Sequence, residues 1–389
     1  MNSSHYPRPQ LAIELADALT GKTPFSDAPN GLFLAEDRRT GKSQFLRLDL
    51  LPELQRRGLL ALYVDLKVSA ATPTQAVQQM LFEAVQSNSG LVSKFAKSVG
   101  LEKITVPGML TLDVSGIGKT EGLSLYQVLN VLHQATKKPI VLIIDEAQHA
   151  LTHDEGEALM WALKSARDQM KTVEGANLML VMSGSHTDKL TLLLNSRRAP
   201  FWGSQVRSVP KLDDKFVESY AAKVRLHRPE LGAIRTSVMV DAFEHFGRRP
   251  QFFIDAVGRA ASTSHDGQAF EAALVAQGKQ RRGDDRDRFT SIYLALSPIE
   301  QALLERILIE GKSFRPFDAD ALAFYAQRIG KPKVSAQVAQ RAIDSLRNND
   351  EELVWKSLRG DYSVYDQSLN DWYAFLLAAG QWPPEAVKR

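Results

Sequence analysis

Pro139-Ile140-Val141-Leu142-Ile143-Ile144 carries no polar side chain and ends in two adjacent carboxylates, Asp145 and Glu146. A strand with one wet face alternates apolar and polar residues. A strand apolar throughout is buried on both faces, the condition of a parallel sheet covered by helices. Leu60–Leu66 and Asn177–Ser185 read the same way, and Gly31–Glu36 and Val206–Val209 add two shorter runs. Helical spacing falls between them at Gln10–Leu19, Phe45–Leu54, Gln75–Val85, Leu125–Ala135 and Glu157–Met170. This alternation predicts an α/β fold over 30–212, a parallel sheet with helices on both faces. Ile104–Val114, with Pro107-Gly108 at its middle, reads as a hairpin.

Arg38-Arg39-Thr40-Gly41-Lys42-Ser43 lies between the first strand and the helical pattern that starts at Phe45. Strand, turn and helix in that order make a phosphate-binding loop. Backbone N–H groups of the turn and of the helix start converge on an anion there. Arg38, Arg39, Thr40, Gly41 and Gln44 then surround the phosphates. Lys42 reaches the β- and γ-phosphates from the solvent side, and the Ser43 hydroxyl sits on Mg²⁺. The full pattern has Gly five positions before Gly41, where this chain has Glu36. A second candidate, Gly116-Ile117-Gly118-Lys119-Thr120, has Asp113 at the corresponding place. From Lys42 to Asp145 the chain has room for a helix, a strand and more helix; from Lys119 it has room for one helix. The first loop is therefore paired with Asp145, and the second is read as a turn.

Asp145 at the strand end is a Mg²⁺ ligand, direct or through water, and Glu146 is placed to orient and activate a water in phosphoryl transfer. Gln148 and His149 follow within reach. Ser183 and Ser185 end the next buried strand, and strand C-termini surround the ligand in open α/β sheets. Arg197 and Arg198 precede Pro200-Phe201-Trp202-Gly203. An exposed arginine pair there suits the nucleotide of a neighbouring subunit, since arginine supplied in trans stabilises transition-state charge. Arg248 and Arg249, in Gly247-Arg248-Arg249-Pro250, start a helix beyond the sheet and are placed to reach over the phosphates.

Residues 1–29 read as a helix and connector, and 30–212 as the sheet core. Residues 213–290 are helical without strands and end in a charge-dense linker, Gln280–Arg288, read as a solvated hinge. Residues 291–389 hold three helices (Ile299–Ile309, Ala319–Ile329, Ala336–Leu346), two short strands and a last helix, the pattern of a winged helix. Lys331, Lys333, Gln337, Gln340, Arg341 and Arg347 flank or line its third helix, as in a DNA-reading helix, but Asp344, Asp350, Glu351 and Glu352 dilute their field.

The 389 residues include no cysteine, which removes disulfides, a thiol nucleophile and cysteine metal sites. A formal charge of +3 confines any basic surface to a patch. No run is long enough for a membrane span, and Met1–Tyr6 lacks a basic segment followed by an apolar core. The expectation is a cytoplasmic protein.

The order of these parts resembles the AAA+/STAND group of P-loop ATPases, and within it the archaeal-type, origin-recognition-like branch that includes transposition ATPases. The resemblance rests on Arg38–Ser43, Leu142–Gln148, Ser183-Gly184-Ser185, Pro200–Gly203, Gly247–Pro250 and Gly360–Asp366, and covers most of residues 8–378. It implies a P-loop ATPase core, a helical lid and a winged helix. It further implies ATP and Mg²⁺ as ligands, slow ATP hydrolysis, a homo-oligomer, and action on double-stranded DNA or a DNA-processing protein. A signalling or defence-type ATP switch that assembles without touching DNA is the alternative, and a nucleotide-dependent scaffold is a third reading. Ser204 stands where an arginine often follows the Pro-aromatic-aromatic-Gly run.

Overall fold

The computed structural model describes residues 5–24, 26–36, 38–67, 72–98, 124–152, 154–173, 175–185, 187–194, 199–349, 351, 353–356, 360–366 and 368–385. The sequence readings at Ile104–Val114, Gly116–Thr120 and Arg197-Arg198 lie outside them. The chain divides into two compact units, Met1–Pro210 and Lys211–Arg389.

In the first unit, β1 (Leu32–Ala35), β2 (Leu60–Asp65), β3 (Ile140–Asp145), β4 (Leu178–Gly184) and β5 (Val206–Ser208) form one sheet in the order β2-β3-β4-β1-β5. All four pairings are parallel. The strands with no polar face, β3 and β4, take the inner positions and are buried along their whole length. Half-exposed β5 takes an edge. The register aligns Asp65 with Asp145, Ile144 with Met182, and Ala35 with Gly184 and Ser208. The polar C-terminal ends of the strands therefore meet along one rim, and the loop after β1 leaves from it.

One face of the sheet is covered by α1 (Pro9–Leu19) and by α2, a helix over Lys42–Phe45 and Leu51–Arg56 with a π turn at Leu46–Leu50 between. Ala12, Ala16, Leu19, Phe45, Leu46, Leu50 and Leu54 pack there on Leu32, Leu34, Val141, Ile143 and Val181. Further helices run at α3 (Pro73–Ser87), α4 (Ser89–Ser98), α5 (Leu125–Thr136) and α6 (Asp154–Gln169). Two start in complete capping boxes, Thr72 with Gln75 and Ser124 with Gln127, which satisfy N–H groups that the helix leaves open. A small hairpin, Lys171–Thr172 with Gly175–Ala176, was not foreseen.

The second unit begins with α7 (Asp214–His227), α8 (Thr236–His245), α9 (Pro250–Thr263) and α10 (Gly267–Ala295). Phe216, Phe243 and Phe253 form an aromatic cluster, with centroids 5.0–5.9 Å apart. The charged stretch 280–288 is not a hinge: it is the middle of the 29-residue α10. Each side of that stretch is anchored by buried residues, Phe270 and Leu274 before it, Phe289 and Tyr293 after it. Gly278 is packed so closely that a Cβ there would lie 2.8 Å from the Cβ of His245. Between the anchors the charges pair along the helix, as Arg281 does with Asp285 at 3.2 Å.

Three helices follow, α11 (Pro298–Glu310), α12 (Ala319–Arg328) and α13 (Ala336–Asn348), then an antiparallel pair, β6 (Val354–Lys356) and β7 (Tyr362–Val364), and finally α14 (Ser368–Ala378). Leu303, Leu304, Phe314, Tyr325, Ile343, Val354, Val364 and Trp372 share their core. The core includes Phe289 and Tyr293 from α10, so the division at residue 290 read from composition is crossed by one continuous helix.

Candidate functional site

The loop after β1 turns into α2 through two left-handed residues, Arg39 (φ 67°) and Gly41 (φ 90°). Gly41 is the N-cap of α2, and a glycine adopts that backbone at little cost. Thr40 and Lys42 are buried, Ser43 is half-buried one residue into the helix, and Gln44 is exposed.

Lys42 is not on the solvent side. It is 5% exposed, with its Nζ 3.4 Å from Asp145 Oδ1 and 3.3 Å from Glu146 Oε1. The cause is the register of the sheet: the acidic end of β3 and the start of α2 share one rim, and the two carboxylates claim the nearest cation.

Each carboxylate is held by further donors. Ser183 Oγ, from the end of β4, donates to Asp145 Oδ1, and Tyr63 OH, from β2, donates to Asp145 Oδ2 at 2.9 Å. Ser185 Oγ donates to Glu146 Oε2 at 2.8 Å, and the Gln148 side-chain amide donates to the same oxygen. Arg38 Nε lies 3.4 Å from Ser185 Oγ. Glu146 has φ 54°, an uncommon backbone for a residue with a side chain. Burial pushes the Glu146 carboxyl up; the Lys42 charge and hydrogen bonds from Gln148, Ser185 and Lys42 outweigh it and hold the group at about 2. Burial lowers His149 to about 4, against the Glu146 charge that raises it, so the imidazole is neutral at neutral pH. Gly184 packs closely under Gln148, since a Cβ there would lie 2.7 Å from Gln148 Oε1 and displace that amide.

The structure thus brings together the sequence-selected Arg38, Lys42, Asp145, Glu146, Gln148, Ser183 and Ser185. Arg248 and Arg249 belong to the second unit. Arg248 pairs with Glu244 and, at 3.2 Å, with Asp214, and Arg249 donates to Ser368.

Three residues escaped sequence reading. Tyr63 left one available signal, a polar-tipped side chain late in an otherwise apolar strand. Arg8 left none: 33 residues before Gly41, it donates from Nη2 to the Gly41 carbonyl at 3.2 Å and stacks on Phe45 at 4.6 Å. Its own N–H bonds Asp49 Oδ1 at 3.2 Å, so the segment before α1 braces the loop. Lys189 is buried just beyond the end of β4.

The donor set fits Mg²⁺. Among the described residues no group of three or more His, Cys, Asp or Glu could cage a metal. Mg²⁺ needs no such cage, because it is held by one or two carboxylates together with substrate phosphates and water. Asp145 is a carboxylate on the rim and Ser43 a half-buried hydroxyl at the start of α2, donors of the type Mg²⁺ takes.

Fold and site together define a P-loop α/β protein with a helical C-terminal half. Neither protein-family models nor curated proteins give a match to the chain. Solved structures similar in shape include a Walker-type ATPase of Pyrococcus abyssi, 16% identical, TM-score 0.48, covering 93% of this chain and 95% of that one. The ORC2 protein of Aeropyrum pernix in its ADP form is 13% identical with TM-score 0.48, covering 95% and 93%. AMPPCP-bound DnaA of Aquifex aeolicus is 11% identical with TM-score 0.38, covering 89% of each chain.

Proposed function

We propose that this protein is a slow ATPase that works as a switch of the AAA+/STAND kind. The observation that carries the reading is the Lys42 ammonium set between Asp145 and Glu146 on the C-terminal rim of a parallel sheet. ATP phosphates are bound by Lys42 and by the N–H groups around Gly41, with Arg38, Arg39, Thr40 and Gln44 lining the approach. Ser43 and Asp145 would hold Mg²⁺, which when bound would supply neutralising charge to the phosphates. Ser183 and Tyr63 fix the Asp145 carboxylate, and Ser185 and Gln148 fix that of Glu146. When Lys42 turns to phosphate, Glu146 loses the largest of the groups that hold its carboxyl down and is released to orient the attacking water. Phosphate release with ATP and Mg²⁺ tests this. Turnover that needs neither Lys42 nor Glu146 refutes it.

Arg197 or Arg198 acts on a neighbour's nucleotide in a homo-oligomer, and Arg248 or Arg249 acts in its own chain from the lid. Chains altered at Arg197/Arg198 and at Lys42 regain activity on mixing if the first pair acts in trans. Chains altered at Arg248/Arg249 do not. Absence of rescue in demonstrated mixed oligomers excludes the shared site.

The C-terminal helices and β6–β7 pair act as a winged helix on double-stranded DNA or on a DNA-processing partner, with Lys331, Lys333, Arg341 and Arg347 as the basic side and Gln337 and Gln340 beside them. One observation favours the alternative, a signalling or defence-type switch without DNA: Asp344 accepts from Gln340 at 2.8 Å and from Arg347 at 3.2 Å, which ties up part of that face. Duplex binding that weakens steeply with salt supports the first reading; ATP-dependent assembly with no duplex affinity supports the second.

A further inference from the structure

The second unit contains a cleft of about 310 Å³ between the helix starting at Pro250, the middle of α10 and α14. Four arginines line it, Arg249, Arg281, Arg282 and Arg286, against two aspartates, Asp285 and Asp371. Aromatic rings supply the remaining walls, among them Phe252, Phe289, Trp372 and Phe375. Arg281 pairs with Asp285 and Arg249 donates to Ser368, whereas Arg282 and Arg286 are held by backbone and a ring. Arg286 lies 3.3 Å from the centroid of Phe375, Arg281 lies 4.0 Å from that of Phe252, and Arg282 donates to the Glu244 carbonyl at 3.1 Å. Among the described residues neither Arg282 nor Arg286 has a carboxylate partner. Burial, and then the charge of Arg282, push the Arg286 guanidinium below its usual range. His245 also lines the cleft, and its Nδ1 is buried with no hydrogen-bond partner.

We infer that this cleft is a ligand site for a nucleoside phosphate, built from residues other than those of the phosphate loop. Unneutralised guanidinium groups recognise phosphate oxygens. The aromatic side chains beside them offer a heterocyclic base an apolar wall, which a bare phosphate cannot use. The volume lies at the small end of the range for ligand pockets, which suits one nucleotide. Trp372 is 3% exposed and donates from Nε1 to Thr290 Oγ1 at 3.2 Å, so its ring is fixed in the wall and its emission reports occupancy.

The test is equilibrium dialysis of the full-length chain with labelled ATP, alongside tryptophan emission. The expected result is two sites per chain. Arg282→Gln/Arg286→Gln weakens one of them about tenfold or more, from the loss of charge-assisted hydrogen bonds, while phosphate release persists. Trp372→Phe removes the emission change, and Lys42→Ala removes only the other site. Circular dichroism checks that each variant is folded. A single site abolished by Lys42→Ala overturns the inference while leaving the loop reading intact. Two sites indifferent to Arg282 and Arg286 overturn it as well. So does competition by inorganic phosphate as strong as that by ATP, or occupancy by single-stranded oligonucleotide but not by ATP.

Discussion

Lys42→Ala removes the cation from between two buried carboxylates, so it reaches beyond nucleotide binding. Taking one partner from a buried ion pair costs about 3–5 kcal/mol. Glu146 gives an independent figure. Its carboxyl sits at about 2 against an ordinary 4.5, a difference worth about 3 kcal/mol at neutral pH. Burial works against that lowering, and Lys42 is the largest of the groups that produce it, so much of this stability rests on the ammonium. The sign follows from the direction of the shift. A depressed carboxyl contributes stability that is complete above its unfolded value and is lost as the pH falls through its folded one. In the wild type that window runs from 4.5 down to about 2. In Lys42→Ala the main lowering charge is gone, so less of the stability that the wild type gains above this window is present. Urea unfolding without nucleotide, followed by circular dichroism at about pH 3 and about pH 8, measures both curves. The gap should be about 3 kcal/mol at the higher pH and smaller at the lower one. A variant as stable as the wild type at the higher pH refutes the argument, and Lys42 would then serve phosphate alone.

Glu146→Gln keeps the size of the side chain and removes the base; ATP binding should persist while phosphate release falls about 10²-fold or more, and normal turnover would remove Glu146 from the mechanism. Tyr63→Phe deletes the donor 2.9 Å from Asp145 Oδ2; thermal unfolding should register a loss of about 1–2 kcal/mol, and half-saturating Mg²⁺ for ATP binding should rise. Gly283→Ala places a Cβ with nothing within 4 Å inside α10; chemical unfolding should show a gain of about 0.5–1 kcal/mol, whereas no gain would indicate that the charged stretch is not helical in solution.

Local pattern carried the sheet. A strand apolar on both sides has one environment open to it, so Ile140–Ile144 and Leu178–Met182 were assigned to the centre of a parallel sheet before any contact was known. The Gly41-Lys42-Ser43 turn and the Asp145-Glu146 pair are legible as local features for a related reason: each consists of neighbouring residues on one strand end or helix start. Composition misled at Gln280–Arg288. Dense charge marks solvent exposure, and an exposed helix face has the same composition as a hinge. What separates them is anchorage at Phe270 and Leu274 on one side and Phe289 and Tyr293 on the other, which is long-range packing. The burial of Lys42 was hidden for the same reason, because it depends on the register that sets Asp145 beside Ile144–Met182 and under the start of α2. Tyr63 and Arg8 reach the site across 82 and 33 residues of chain. A sequence read along its own length has periods and motifs but no such distances; the fold supplies them by closing β2, β3, β4 and the N-terminal segment around a single rim.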